Sequence, residues 1–176
     1  MEKILVALDG SEHSQKSLAI TAALAKQYGS DVILAHVTTN EQPSASALRA
    51  VEVEYPELLA EKMSTVQSSS KLPNDAQYVS SMLAQERGAS SVINSIIGER
   101  LLNDAQRVLE KMGVVNVKSL LLKGDPAEEI IKAVEAHTCD TVVMGCRGVS
   151  KFKGIVMGSV SQAVAHEASG SVIIVK

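Results

Sequence analysis

Apolar residues run unbroken from Ile4 to Leu8 and stop at Asp9-Gly10-Ser11. Such a run, bounded by turn formers, reads as a strand buried on both faces of a parallel sheet. Ser11 can cap a helix in which Leu18, Ala22 and Ala25 recur at helical spacing, widened by Ala19, Ala23 and Leu24 and ended by Gly29. Val32-Ile33-Leu34-Ala35-His36-Val37 then reads as a second buried strand. Residues 3–37 therefore predict a βαβ unit with a right-handed crossover.

The alternation resumes in the C-terminal half. Ile93, Ile97, Leu101, Ala105, Val108 and Met112 recur every three or four residues, which predicts a helix over about 91–112 stopped by Gly113. A strand from Val114 to Leu122 follows, then a helix from Pro126 to His137 opened by Gly124-Asp125-Pro126, and a strand from Thr141 to Gly145. A helix from Gly158 to about Ala168 and a strand from Ser171 to Val175 complete the pattern. Five strands alternating with four helices predict a doubly wound, open α/β sheet, in which ligands bind beyond the carboxyl ends of the strands where the winding reverses.

Residues 38 to about 90 depart from this pattern, with Pro43, Pro56, Pro73 and the polar stretch Ser68-Ser69-Ser70-Lys71. We read 1–176 as one domain carrying an insertion at about 40–90. Because long structureless loops are uncommon in compact domains, short helices are expected at Pro56 to about Val66 and Ala76 to about Gln85. Whether the insertion is a surface elaboration, a lid or a partner surface stays open.

Composition narrows the partners. With 45% apolar and 21% charged residues the chain is an ordinary globular one. Lys plus Arg is 17 against 20 Asp plus Glu, a net charge of −3, which supplies no positive field for nucleic acid or anionic membranes. Tyr28, Tyr55, Tyr78 and Phe152 are too few to form a base-stacking platform. Cys139 and Cys146 form no CxxC pair and no disulfide framework, which fits a reducing, cytoplasmic setting. The Ile4–Leu8 run is too short for a signal-peptide core, and no run approaches membrane-spanning length.

The segment richest in chemistry is Met144-Gly145-Cys146-Arg147-Gly148, followed nine residues later by Gly158-Ser159-Val160-Ser161. It lies where a buried strand opens toward a helix N-terminus, whose free N–H groups and dipole favour an anion. Glycines would let the backbone approach a phosphate, with a hydroxyl from Ser159 and a charge from Arg147. The plainer alternative is a flexible loop before a serine-capped helix. There is no Walker loop and no Gly-x-Gly-x-x-Gly after a strand, so nicotinamide chemistry has no support. Asp9, ending the first strand, would face the same crevice and could accept from an adenine amino group or a ribose hydroxyl; otherwise it is an acidic turn residue before a helix. Weaker candidates are His13 and His166 as solvated helix-end histidines or phosphate contacts, and Lys151 and Lys153 beside Phe152 as loop charges. Cys146 reads as a loop residue rather than a redox sensor, and Cys139 as inert.

In its opening Ile-Leu-Val-Ala-Leu-Asp-Gly-Ser-Glu-His-Ser, in His36-Val37, in Gly124-Asp125-Pro126 and above all in Gly145-x2-Gly148-x9-Gly158-Ser159, the chain resembles the universal stress protein family, in its ATP-binding branch. The resemblance covers about 1–37 and 91–176. It implies a Rossmann-like parallel sheet of order 3-2-1-4-5, with adenine near Asp9 and the backbone of Ala7, Leu8 and Val37. Ribose and phosphates would lie along Met144, Gly145, Arg147, Gly148, Gly158, Ser159, Val160 and Ser161. The expected ligand is ATP, or AMP or ADP, and a Mg²⁺ ion can bridge its phosphates and the Ser159 hydroxyl, which would permit slow hydrolysis. The implied role is stress-response regulation, in which nucleotide occupancy modulates conformation or the choice of a protein partner, with no catalytic residue. The rival reading is a slow Mg-dependent ATPase or a phosphoryl or nucleotidyl transferase. A homodimer through the edge strand 171–175 is implied as well.

Overall fold

In the computed structural model, which describes residues 1–39, 41–67, 75–148 and 157–176, the first apolar run forms β1 (Lys3–Ala7), with Ile4, Leu5 and Val6 wholly removed from solvent. The other strands are β2 (Asp31–Thr38), β3 (Val117–Lys123), β4 (Thr141–Gly145) and β5 (Ser171–Val175). They form one parallel sheet in the order β3-β2-β1-β4-β5, as the family resemblance implied. The helices are α1 (Glu12–Tyr28), α2 (Ala45–Glu54), α3 (Pro56–Gln67), α4 (Asp75–Lys111), α5 (Pro126–Ala136) and α6 (Ser159–Glu167).

Successive side chains of a strand point to opposite faces, so each buried run feeds two cores. Ile4, Val6, Val32, Leu34 and Val143 pack with Leu18, Ala22 and Ala25 of α1 and with Leu102, Ala105 and Leu109 of α4. Leu5, Ile33, Ala35, Val142 and Met144 pack on the other face with Ile130, Ala133 and Val134 of α5 and Val164 of α6. Each Val, Leu, Ile or Met side chain among them contributes about 1.5–3 kcal/mol on burial, which is why continuous apolar runs are required here.

Helix ends set the strand starts. Gly29 takes φ +66°, and the Ser30 N–H reaches back to the Ala25 carbonyl at 3.0 Å. Gly113 does the same for α4 with φ +87°, and the Val114 N–H donates to the Leu109 carbonyl at 3.0 Å. This is the Schellman pattern, in which the residue after the glycine folds back onto the last turn. Val114 thus closes the helix, and the third strand begins at Val117 rather than at Val114.

Two compact units divide the chain: residues 1–37 with 100–176, and residues 38–99. The second holds α2, α3 and the first part of α4 around Val51, Ile93 and Ile96, with Leu48, Tyr55, Leu58 and Leu59 against them. Within it, the Asn94 amide donates to the carbonyls of Thr39 (3.1 Å) and Glu41 (2.9 Å), and Lys62 pairs with Glu99 at 2.7 Å. Two expectations are corrected. Residues 45–54 form a helix where none was predicted, capped by the Ser44 hydroxyl accepting from the Ala47 N–H. The helices expected at 76–85 and 91–112 are one, α4, running through Gly88. No described helix is long and apolar enough to cross a membrane.

Candidate functional site

The register pairs Ala7 with Ala35 of β2 and with Met144 of β4. Asp9, Val37 and Cys146 therefore emerge at one end of the sheet, where the winding reverses between β1 and β4. The side chains of Ala7, Leu8 and Met144 are buried in the two cores, so these residues have only backbone to offer a ligand. The Leu8 N–H donates to the Ala35 carbonyl at 2.8 Å, and His36 Nδ1 lies 2.7 Å from the Leu8 carbonyl. A carbonyl can only accept, so His36 carries its proton on Nδ1. The sequence reading treated His36 only as part of a strand end, because its partner is a backbone atom 28 residues away.

Asp9 is half-buried, and its Oδ1 accepts from the N–H of Ser11 at 3.0 Å and from its hydroxyl at 2.6 Å. Ser11 in turn caps α1, accepting from the Ser14 N–H. Asp9 is thus a turn residue through Oδ1, and its Oδ2 lies on the side of Gly148.

Cys146, the residue after β4, is bonded through both its N–H and its carbonyl. The Cys146 N–H donates to the Val175 carbonyl of β5 at 2.7 Å, and the Cys146 carbonyl accepts from the Gly158 N–H at 2.8 Å and lies 3.0 Å from the Ser161 hydroxyl. These bonds fasten the N-terminus of α6 to the end of β4. Gly158 caps α6 without any side-chain hydrogen bond, so among the described residues the first-turn N–H groups of Ser159 and Val160 receive no side-chain cap. Ser159 is exposed, Val160 packs against the core and Ser161 is buried. Arg147 and Gly148 follow Cys146, with Arg147 half-buried.

The three glycines differ in their surroundings. A Cβ on Gly145 would lie 2.9 Å from both His13 Cβ and the Ser14 nitrogen, and one on Gly148 would lie 2.7 Å from Asp9 Oδ2. Among the described residues, a Cβ on Gly158 would meet nothing nearer than the Cys146 carbonyl at 3.5 Å.

Among the lesser candidates, His13 is half-buried in the first turn of α1, and its Nδ1 is buried without a hydrogen-bond partner among the described atoms. His166 is exposed in the last turn of α6. Both cysteines are free and buried, and burial pushes the Cys139 thiol above its ordinary value. Lys151, Phe152 and Lys153 lie outside the described residues. Among the described residues, no group of three or more His, Cys, Asp or Glu side chains is placed to hold a metal ion.

An open parallel sheet of order 3-2-1-4-5, with helices packed on both faces, defines a Rossmann-like α/β protein. The chain belongs to the universal stress protein family, which it matches over residues 1–176. It is 28% identical over 178 residues to the stress response protein NhaX of Bacillus subtilis (strain 168), across 99% of this chain and 98% of that one. The solved structure of protein MJ0577, from Methanocaldococcus jannaschii, is similar with a TM-score of 0.63 and 25% identity, covering 99% of this chain and 95% of that chain. The universal stress protein of Archaeoglobus fulgidus in complex with dAMP shares the fold with a TM-score of 0.59 and 18% identity, over 100% and 98% of the two chains.

Proposed function

We propose that this protein is a cytoplasmic regulator that binds an adenine nucleotide at the switch point, with occupancy modulating its conformation or its choice of protein partner. The observation that carries this reading is Gly158: it caps α6 with no side chain, and among the described residues a Cβ there would meet only ordinary contacts. A helix start left open in this way suits a phosphate, which brings the charge that the first-turn N–H groups and the dipole favour. The Gly158 N–H is already bonded to Cys146, so the donors for the phosphates are the Ser159 and Val160 N–H groups, the Ser159 hydroxyl and the Arg147 guanidinium. Adenosine would lie along Ala7, Leu8, Asp9 and Val37, with the ribose toward Met144, Gly145 and Gly148. Ser161 would act through its backbone, since its hydroxyl lies 3.0 Å from the carbonyls of Cys146 and Gly158. A Mg²⁺ ion accompanying ATP would take phosphate oxygens and the Ser159 hydroxyl. The relative crystallised with dAMP supports an adenine nucleotide as the ligand class.

The reading is tested by mass spectrometry of nucleotide released by acid from gently purified protein, with calorimetric titration of ATP, ADP and AMP. Binding of none of them at millimolar concentration defeats it. The enzymatic alternative is tested on the same sample. Hydrolysis at the 1–10³ per second of ordinary enzymes, lost in Asp9→Asn, would make the protein an ATPase; we expect turnover below that range, because Asp9 Oδ1 is already engaged by Ser11.

A further inference from the structure

The two oxygens of the Asp9 carboxylate have different surroundings. Oδ1 accepts from the Ser11 N–H at 3.0 Å and from the Ser11 hydroxyl at 2.6 Å. A hydroxyl has one proton, and the shorter contact takes it; the Arg147 carbonyl stands 3.2 Å from the same hydroxyl oxygen, and the Ser14 N–H donates to it at 3.2 Å. One hydroxyl thereby joins the end of β1, as donor to Asp9, to the first turn of α1, as acceptor from Ser14. On the other edge of the carboxylate, Oδ2 faces Gly148 so closely that a Cβ there would come within 2.7 Å. Ser11 bounds one side and bare backbone the other.

We propose that Ser11 is a positioning residue for the nucleotide: by holding Oδ1 it fixes the Asp9 carboxylate so that Oδ2 is presented, beside the Gly148 backbone, to a hydrogen-bond donor of the nucleoside. The proposal rests on the nucleotide-binding reading above and adds to it the group that sets the carboxylate's orientation. An aspartate free to rotate must be ordered when a ligand arrives, and one already ordered binds more tightly for the same contact. The bonds to Oδ1 are charge-assisted, the stronger kind, which suits them to that task.

A double-mutant cycle separates positioning from simple helix capping. Affinity for ATP is measured by calorimetry in the whole protein, with folding checked by thermal melts. Ser11→Ala should weaken binding about tenfold when Asp9 is present and less than about twofold in an Asp9→Ala background, and Ser11→Thr, which keeps the hydroxyl, should rescue most of the loss. Equal losses in both backgrounds would make Ser11 a helix cap and overturn the proposal while leaving nucleotide binding intact. Wild-type protein that binds no ATP would end the nucleotide reading, and this proposal with it. Should Ser11→Ala fail to fold, Gly148→Ala takes its place, since its Cβ displaces Oδ2 from the opposite side. A loss that depends on Asp9 is again expected, and a loss independent of Asp9 again overturns the proposal.

Discussion

At Gly145 a methyl group would press on the Ser14 nitrogen and the His13 Cβ, at 2.9 Å from each, and neither belongs to a freely moving side-chain tip. Gly145→Ala should therefore destabilise the fold by about 1–3 kcal/mol. Gly158 has room, and its φ of −74° is open to any residue, so Gly158→Val should leave folding cooperative and lower the melting temperature by no more than about 4 °C. The same change should weaken ATP binding at least about tenfold, or roughly 1.4 kcal/mol, by calorimetry. A motif spacing cannot distinguish these glycines, because what separates them is a neighbour brought in by the fold. Asp140 belongs to the same scale. Burial alone raises its carboxyl, but hydrogen bonds from the Glu2 N–H at 2.6 Å, the Thr141 hydroxyl at 3.0 Å and the Lys3 N–H at 3.4 Å hold it below the usual carboxylate range. A carboxyl lowered in the folded state stabilises fully above its unfolded value, about 3.9, and stops doing so as pH falls through the folded value. Asp140→Ala should cost about 1 kcal/mol at pH 7, kept small by solvent screening, and the gap to wild type in urea melts should close as the pH is taken below about 3.

At the scale of elements, helix ends carry the most information. α5 ends like α1 and α4, with the Cys139 N–H donating to the Val134 carbonyl at 2.9 Å, but its left-handed residue is Thr138 at φ +51°. That conformation disfavours a β-branched side chain by about 1–2 kcal/mol. Thr138→Asn should raise stability by about 0.5–1 kcal/mol, read as a rise of about 1–4 °C in a thermal melt. The buried strands β1, β2, β4 and β5 were legible in sequence, because strands covered on both faces leave unbroken apolar runs. β3 was legible only in part: it lies at the sheet edge with Lys118, Ser119 and Leu121 exposed, and Val114 reads as strand although it closes a helix. Gly88 made α4 look like two helices; a glycine costs a helix about 1 kcal/mol relative to alanine, which a helix of 37 residues absorbs. Helix α2 was hidden between Pro43 and Pro56. For the proposed site, the sequence singles out Asp9, Gly145, Gly148 and Gly158, whereas the bond from the Ser11 hydroxyl to Asp9 and that from His36 to the distant Leu8 carbonyl leave no mark in it.

For the whole molecule, β5 is paired with β4 on one side and is the last strand of the sheet. Its outer edge, which pairs with no other strand among the described residues and carries Val172, Ile173 and Ile174 half-buried, is the kind that associates with another strand unless charge or proline protects it. We expect an antiparallel, two-fold pairing of two copies. Light scattering at micromolar concentration should give about twice the 18.6 kDa of one chain, and Ile173→Pro should dissociate or unfold the pair by removing a ladder donor. A mass near one chain would refute the dimer. Cys146 bears on this expected assembly, because its N–H is bonded to Val175 of β5 and its carbonyl to Gly158 of the proposed phosphate site. One residue, through the two peptides that flank its Cα, therefore links the strand that carries the outer edge to the proposed ligand site, and linkage requires any coupling between them to run equally in both directions. Ligand affinity then becomes a function of protein concentration: titrations well below and well above the dimer midpoint should return different dissociation constants for ATP, related by the factor through which saturating ATP shifts dimerisation.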